Sequence, residues 1–136
     1  MLVACEANGP AARGVPDDAG PPCVPPVDNT APTYSELFTQ FFAPGTPGHC
    51  ATAGCHADPG HNEWLCGNDN ASCYAGMVSI QLIDPVHGDR SMIGDPELSP
   101  LSWINPTGNM PFDATMAFPT GRDAILAWVG ACAQNN

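Results

Sequence analysis

The sequence predicts a small, mainly α domain of three to five short helices joined by long loops. Three observations predict it. Apolar side chains recur at helical spacing in two segments, around residues 34–42 and 125–132. No stretch alternates apolar and polar residues in the manner of a strand. Sixteen Pro and 14 Gly in 136 residues break the chain into short elements. That length suits one domain. The hydrophobic share of 43% supports one modest core. Cores of that size are often reinforced by disulfides or a bound cofactor.

The first helix opens at Thr33, where Thr33-Tyr34-Ser35-Glu36 has the form of a capping box. Tyr34, Leu37, Phe38, Phe41 and Phe42 then line one face, and Pro44-Gly45 ends it. A last helix is expected from Thr120-Gly121-Arg122-Asp123, with Ile125, Leu126, Trp128, Val129 and Cys132 as its stripe. Between them, Ser72 to Leu82 places Tyr74, Met77, Val78 and Leu82 together. Asp95-Pro96 or Ser99-Pro100 is expected to cap a further short helix carrying Leu101, Trp103 and Ile104. There is no internal repeat and no membrane span.

Residues 6–32 contain seven prolines and almost no large apolar side chain, so they cannot build a core. They read as an extended arm reaching up to about 80 Å, with Cys23 pinning its far end to the domain. Leu2-Val3-Ala4-Cys5 ahead of it resembles the lipobox of bacterial lipoproteins. That resemblance implies a remnant of a signal peptide at 1–4, a lipid on Cys5, a tether over 5–32 and a folded domain over 33–136.

The chain has 14 acidic residues, three Arg and no Lys, for a formal charge of −11. This excludes a phosphate-binding groove, and with it nucleic acid as a partner. It also disfavours adsorption on anionic lipid, so membrane contact is expected only through the lipid anchor. A docking partner should be basic or neutral at the contact. Seven cysteines point to an oxidising compartment, or to metal or haem binding.

The segment with the most chemistry is Cys50-Ala51-Thr52-Ala53-Gly54-Cys55-His56. Two thiols can add to the two vinyl groups of a haem, with the adjacent His under the iron. The usual signal is Cys-x2-Cys-His, and here the spacing is Cys-x4-Cys-His. Helical positions five apart lie about 140° apart around the axis, so the small intervening residues must form a bulged loop.

In the order of its elements, the stretch 33–134 resembles class I cytochrome c. The helix at Thr33 is followed by Cys50, Cys55 and His56, then by Gly108-Asn109-Met110-Pro111, then by the helix from Asp123 to Cys132. Ile93-Gly94-Asp95-Pro96 with Leu101 is similar to the stretch before the Met loop of such domains. The resemblance implies a cytochrome c-like fold with one covalent haem c. Cys50 and Cys55 would form thioethers, and His56 and Met110 would bind iron from opposite faces. Both axial positions would be filled, which suits a single-electron carrier rather than an enzyme, alone or as the electron-transfer subunit of a larger oxidoreductase. Met92 and Met116 compete with Met110, and Pro111 after Met110 decides for it. His61 and His87 are read as solvated loop histidines.

With lipid on Cys5 and haem on Cys50 and Cys55, four cysteines remain, and four allow three pairings. The expected pairs are Cys66–Cys73, closing a short polar loop, and Cys23–Cys132, fastening the arm to the last helix. The location implied is the periplasm or cell surface, lipid-anchored to a bacterial membrane. Donor, acceptor and self-association stay open. Two rivals stand beside this: a zinc site drawn from Cys50, Cys55, His56, His61, Cys66 and Cys73, and a haem-free, disulfide-stapled module with Cys50 bridged to Cys55.

Overall fold

The computed structural model describes residues 20–52, 55–58, 65–67, 69–111 and 118–136. The fold is small and mainly helical. Helix α1 spans Tyr34–Leu37 and runs into a π-helical turn at Phe38–Phe42; α2 spans Asn70–Ser79 and α3 spans Pro119–Gly130. Two 3₁₀ turns, Gly88–Arg90 and Met92–Gly94, lie between α2 and α3. Among the described residues the only β pairing is an isolated parallel bridge, Leu101 with Met110.

The capping box forms as expected. The Glu36 amide donates to Thr33 Oγ1 at 3.1 Å, and the Thr33 amide donates to the Glu36 carboxylate at 2.8 Å. The remaining free donors of this helix start are met by the C-terminal residue: the amides of Tyr34 and Ser35 donate to Asn136 at 2.9 and 3.1 Å. The aromatic run then widens to the π turn, closed by the Ala43 amide on the Phe38 carbonyl at 2.8 Å.

Helix α2 begins two residues before the expected Ser72, because Asp69 is the N-cap and accepts from the Ser72 amide at 2.8 Å. Helix α3 begins at Pro119 rather than at a Thr120 cap; its N-cap Phe118 offers no side-chain bond, and Pro at the first position fixes the start. The short helix expected after Asp95 or Ser99 is not formed. The Asp95 carboxylate instead accepts from the amides of Glu97 and Leu98 at 2.7 and 2.9 Å, a local turn that competes with helix. Ser99 Oγ turns back to the Ile93 carbonyl at 2.6 Å.

Tyr34 sits at the centre of the core. Its ring lies 5.1 Å from Tyr74, 5.5 Å from Trp128 and 6.3 Å from Phe42, so one side chain joins all three helices. A second cluster, Phe41, Trp103 and Phe118, has ring centroids 5.0–6.4 Å apart and ties the π turn to the long loop. Leu37, Met77, Ile83, Ile93 and Ile125 fill the space between, all fully buried.

Disulfides join Cys23 to Cys132 and Cys66 to Cys73, the same pairs expected above. Such bonds place the folded chain in an oxidising, extracytoplasmic compartment. No described helix is long and apolar enough to cross a membrane. The arm is fastened earlier than residue 32. Besides its disulfide, the Cys23 amide donates to Val86 at 3.0 Å, and the Gly20 carbonyl meets His87 Nε2 at 3.0 Å. His87 is therefore not a solvated loop histidine. Its other ring nitrogen lies 3.1 Å from the Asp84 carboxylate, and the side chain is 17% exposed.

Candidate functional site

The Cys50 segment is laid directly against the end of the π turn. The Ala51 amide donates to the Phe42 carbonyl at 2.9 Å, and Ala51 is buried. Gly48 permits this approach, since a Cβ there would fall 2.2 Å from the Phe41 carbonyl oxygen. His49 takes a positive φ of 31° and is braced by Thr46, whose hydroxyl accepts from its amide at 3.2 Å. The chain then turns through Thr52, which accepts from the Cys55 amide at 3.0 Å. The His56 carbonyl accepts from Cys66 at 2.7 Å, so the segment is tied to the Cys66–Cys73 loop.

Cys50 carries the one free thiol among the described residues. It packs at the margin of the core, and burial pushes its pKa up to about 12, against a hydrogen bond that lowers it. Its Sγ points at the Gly48 carbonyl, 3.5 Å away. Cys55 and His56 are half-buried on the same turn. Cys55 is disulfide-bonded, so a thioether at that sulfur requires the disulfide to be reduced first.

Met110 is held by its backbone on both sides. Its amide donates to the Pro100 carbonyl at 2.9 Å, and its carbonyl accepts from the Ser102 amide and hydroxyl at 2.9 and 3.1 Å. Gly108 allows the loop to close, because a Cβ there would lie 2.6 Å from the Pro100 carbonyl oxygen. The Met110 side chain packs against the edge of the same core as Cys50. Met92 does so as well. Met116, His61 and Cys5 lie outside the described residues.

Among the described residues, two buried side-chain hydroxyls have no hydrogen-bond partner: Tyr34 Oη and Thr52 Oγ1. Tyr34 is fully buried. Burial is the main cause that drives its pKa far above the ordinary tyrosine range, and the Cys50 thiol is the next. An orphaned buried hydroxyl costs about 1–3 kcal/mol. Sequence patterning reads Tyr34 only as one more core aromatic. The signal for more is its hydroxyl, which needs a partner at a position where its neighbours Phe38, Phe41 and Phe42 need none.

These residues fit a haem in part. Cys50 offers a free thiol, Met110 a thioether on a backbone held at both sides, His56 an imidazole, and the orphaned hydroxyls two donors. Cys55 fits only in its reduced form. The rivals fit less well. Cys66 and Cys73 are joined to each other, so neither is a thiolate for zinc, and no metal-holding group of three or more ligands occurs among the described residues. The Cys50–Cys55 bridge of the haem-free module is not formed, since Cys50 is free. Comparison of the chain with protein-family models, curated proteins and solved structures gives no match.

Proposed function

We propose that this protein is a monohaem c-type cytochrome that carries single electrons outside the cytoplasm. One observation carries the reading: Cys50, Cys55 and His56 follow an aromatic first helix, and Met110-Pro111 precedes the last helix, in the element order of class I cytochrome c. The free Cys50 thiol beside unpartnered hydroxyls, and the Met110 loop clamped to residues 100–102, support it. The finer fold is then cytochrome c-like, with the Cys23 arm as its tether; a lipid on Cys5 to a bacterial membrane requires the Cys55 disulfide to be open, since the other five cysteines are paired with one another or free.

Haem c, when bound, supplies an iron that cycles between Fe(II) and Fe(III). Cys50 would hold the group through a thioether, since addition of an S–H across a vinyl double bond needs no oxidant. Cys55 would do the same only once a dithiol reductant of the compartment had opened its disulfide. His56 and Met110 would hold its iron, and a neutral thioether at Met110 would favour Fe(II). Held by both residues, the iron would have no site for a substrate, which fits a carrier rather than an enzyme. Its charge of −11 selects a redox partner that is basic or neutral at the contact. The test is a spectroelectrochemical titration of protein exported with haem-attachment machinery. One reversible one-electron wave is expected, moved to lower potential by Met110→Ala. A protein with no visible absorbance refutes the proposal.

A further inference from the structure

His87 is held between two acceptors. Its Nδ1 lies 3.1 Å from the Asp84 carboxylate, and its Nε2 lies 3.0 Å from the Gly20 carbonyl oxygen. A carboxylate and a carbonyl can only accept. A neutral imidazole carries one N–H, so in either tautomer one ring nitrogen would turn a lone pair on an acceptor. Only the imidazolium, with a hydrogen on both nitrogens, satisfies the two contacts together. The side chain is 17% exposed, so water replaces a lost partner poorly.

The groups around the ring favour that form. Asp84 Oδ1 accepts from the amides of Val86 and His87 at 2.8 and 2.9 Å, which leaves Oδ2 for the ring. Burial raises the Asp84 pKa, but the His87 and Val86 amides and the His87 ring outweigh it and hold the carboxyl below its ordinary range. Tyr74 of α2 feels the Asp84 charge. Burial first, and that charge second, push its pKa up, and its hydroxyl donates to the Ala133 carbonyl at 2.9 Å, so it stays neutral. Arg90 lies on the arm side, where a Cβ on Gly20 would sit 3.3 Å from its guanidinium. A guanidinium keeps its charge where histidine changes its own. Asp89, beside Arg90, is exposed. Cys23 and Cys132 are bonded to each other and do not titrate. Among these described residues, His87 is the one whose side chain type changes charge near neutral pH.

We propose that His87 is a proton-operated clasp on the arm. Protonated, it bridges Asp84 to Gly20 and holds the chain just before Cys23 against the domain. When the second proton leaves, the remaining hydrogen stays on Nδ1, where a carboxylate makes the stronger bond. Nε2 then turns a lone pair on the Gly20 carbonyl, and the arm lifts away as far as its next fixed point. That point is Cys23, held by its amide on Val86 and by the disulfide to Cys132. The clasp is closed in acid medium and opens as pH rises, because only the closed state needs both ring protons. Opening lengthens the free arm and changes the angle at which it leaves the domain. In an extracytoplasmic compartment the surrounding medium sets which state holds. The clasp is independent of haem.

The experiment is an NMR titration of the whole chain from about pH 5 to pH 8. It reads the Gly20 carbonyl 13C shift and the two His87 ring 15N shifts. In wild type the Gly20 carbonyl is expected to lose its hydrogen-bonded shift in step with the ring's second proton. Asp84→Asn should abolish that step. Its Oδ1 still accepts from the Val86 and His87 amides, and its Nδ2 donates to a neutral Nδ1, which leaves Nε2–H for Gly20. The Gly20 carbonyl of this variant should keep its bonded shift across the range. The Trp128 indole, which donates to the Gln134 carbonyl at 2.9 Å, reports the rest of the fold and should stay unmoved in both proteins. A wild-type Gly20 carbonyl that keeps its bonded shift after the ring has become neutral overturns the proposal. So does an unchanged step in Asp84→Asn, or a step that the Trp128 indole shares.

Discussion

Opening the Cys23–Cys132 disulfide should destabilise the fold far more than opening Cys66–Cys73. The first bond spans 109 residues and the second 7. In the chain-entropy treatment these loops correspond to about 4.8 and about 2.4 kcal/mol at room temperature. Cys132 also sits at a φ of 71°, in the left-handed region. Releasing it from the cross-link lets the helix end relax and returns about 1 kcal/mol, which leaves a net loss of about 4 kcal/mol. That is a large fraction of the roughly 5–15 kcal/mol that stabilises a small domain. The assay is urea unfolding followed by tryptophan fluorescence. The variants are Cys23→Ser with Cys132→Ser, and Cys66→Ser with Cys73→Ser. The long-loop variant should lose about 2–3 M in midpoint, with a larger m-value as the unfolded chain expands. Equal losses, or a larger loss from the short loop, would refute the reasoning.

Four more predictions concern the core, the surface and the titrating groups. Trp128→Ala removes a side chain that is 1% exposed and packs on both Tyr34 and Tyr74, and should cost about 3–5 kcal/mol in the same unfolding assay. Leu98→Ala, at 56% exposure, should change the midpoint by less than the error of the fit. Glu36 and Asp69 have pKa values below the usual carboxylate range, held there by backbone and then side-chain hydrogen bonds at the two helix starts. Their stabilisation is present above the unfolded value of about 4 and is lost as pH falls through the folded one. The urea midpoint should therefore drop between pH 6 and pH 3, and Asp69→Asn should flatten that slope. In the haem-free protein the Cys50 thiol, pushed up to about 12, should resist alkylation by iodoacetamide at pH 8 and react quickly once urea unfolds the chain.

The parts of the fold legible in the sequence are those set by local chemistry. Thr33 and Glu36 specify the first helix start because the box is built from two side chains three residues apart. The α3 stripe is readable because Ile125, Trp128 and Val129 repeat at helical spacing. The stretch from Asp95 to Asn105 is misread because Pro96 and Pro100 are each compatible with a first helical position and with a turn. Asp95 and Ser99 choose the turn through their own hydrogen bonds. His87 is misread for a different reason. One partner, Gly20, is 67 residues away and is invisible locally; only Asp84, three residues before it, lies within reach of a local reading. The candidate site divides in the same way. Cys50, Cys55, His56 and Met110 stand out by residue type and order. The orphaned hydroxyls of Tyr34 and Thr52 emerge only once burial and partners are counted atom by atom.

Covalent haem attachment is the claim on which the functional account turns. The most direct measurement is the visible absorbance that stays with the polypeptide after acid-acetone extraction, for protein exported alongside haem-attachment machinery. The account predicts that the haem spectrum remains with the wild-type chain and is lost from Cys50→Ala with Cys55→Ala. Complete extraction of the colour from wild type, or a colourless wild-type protein, would contradict it.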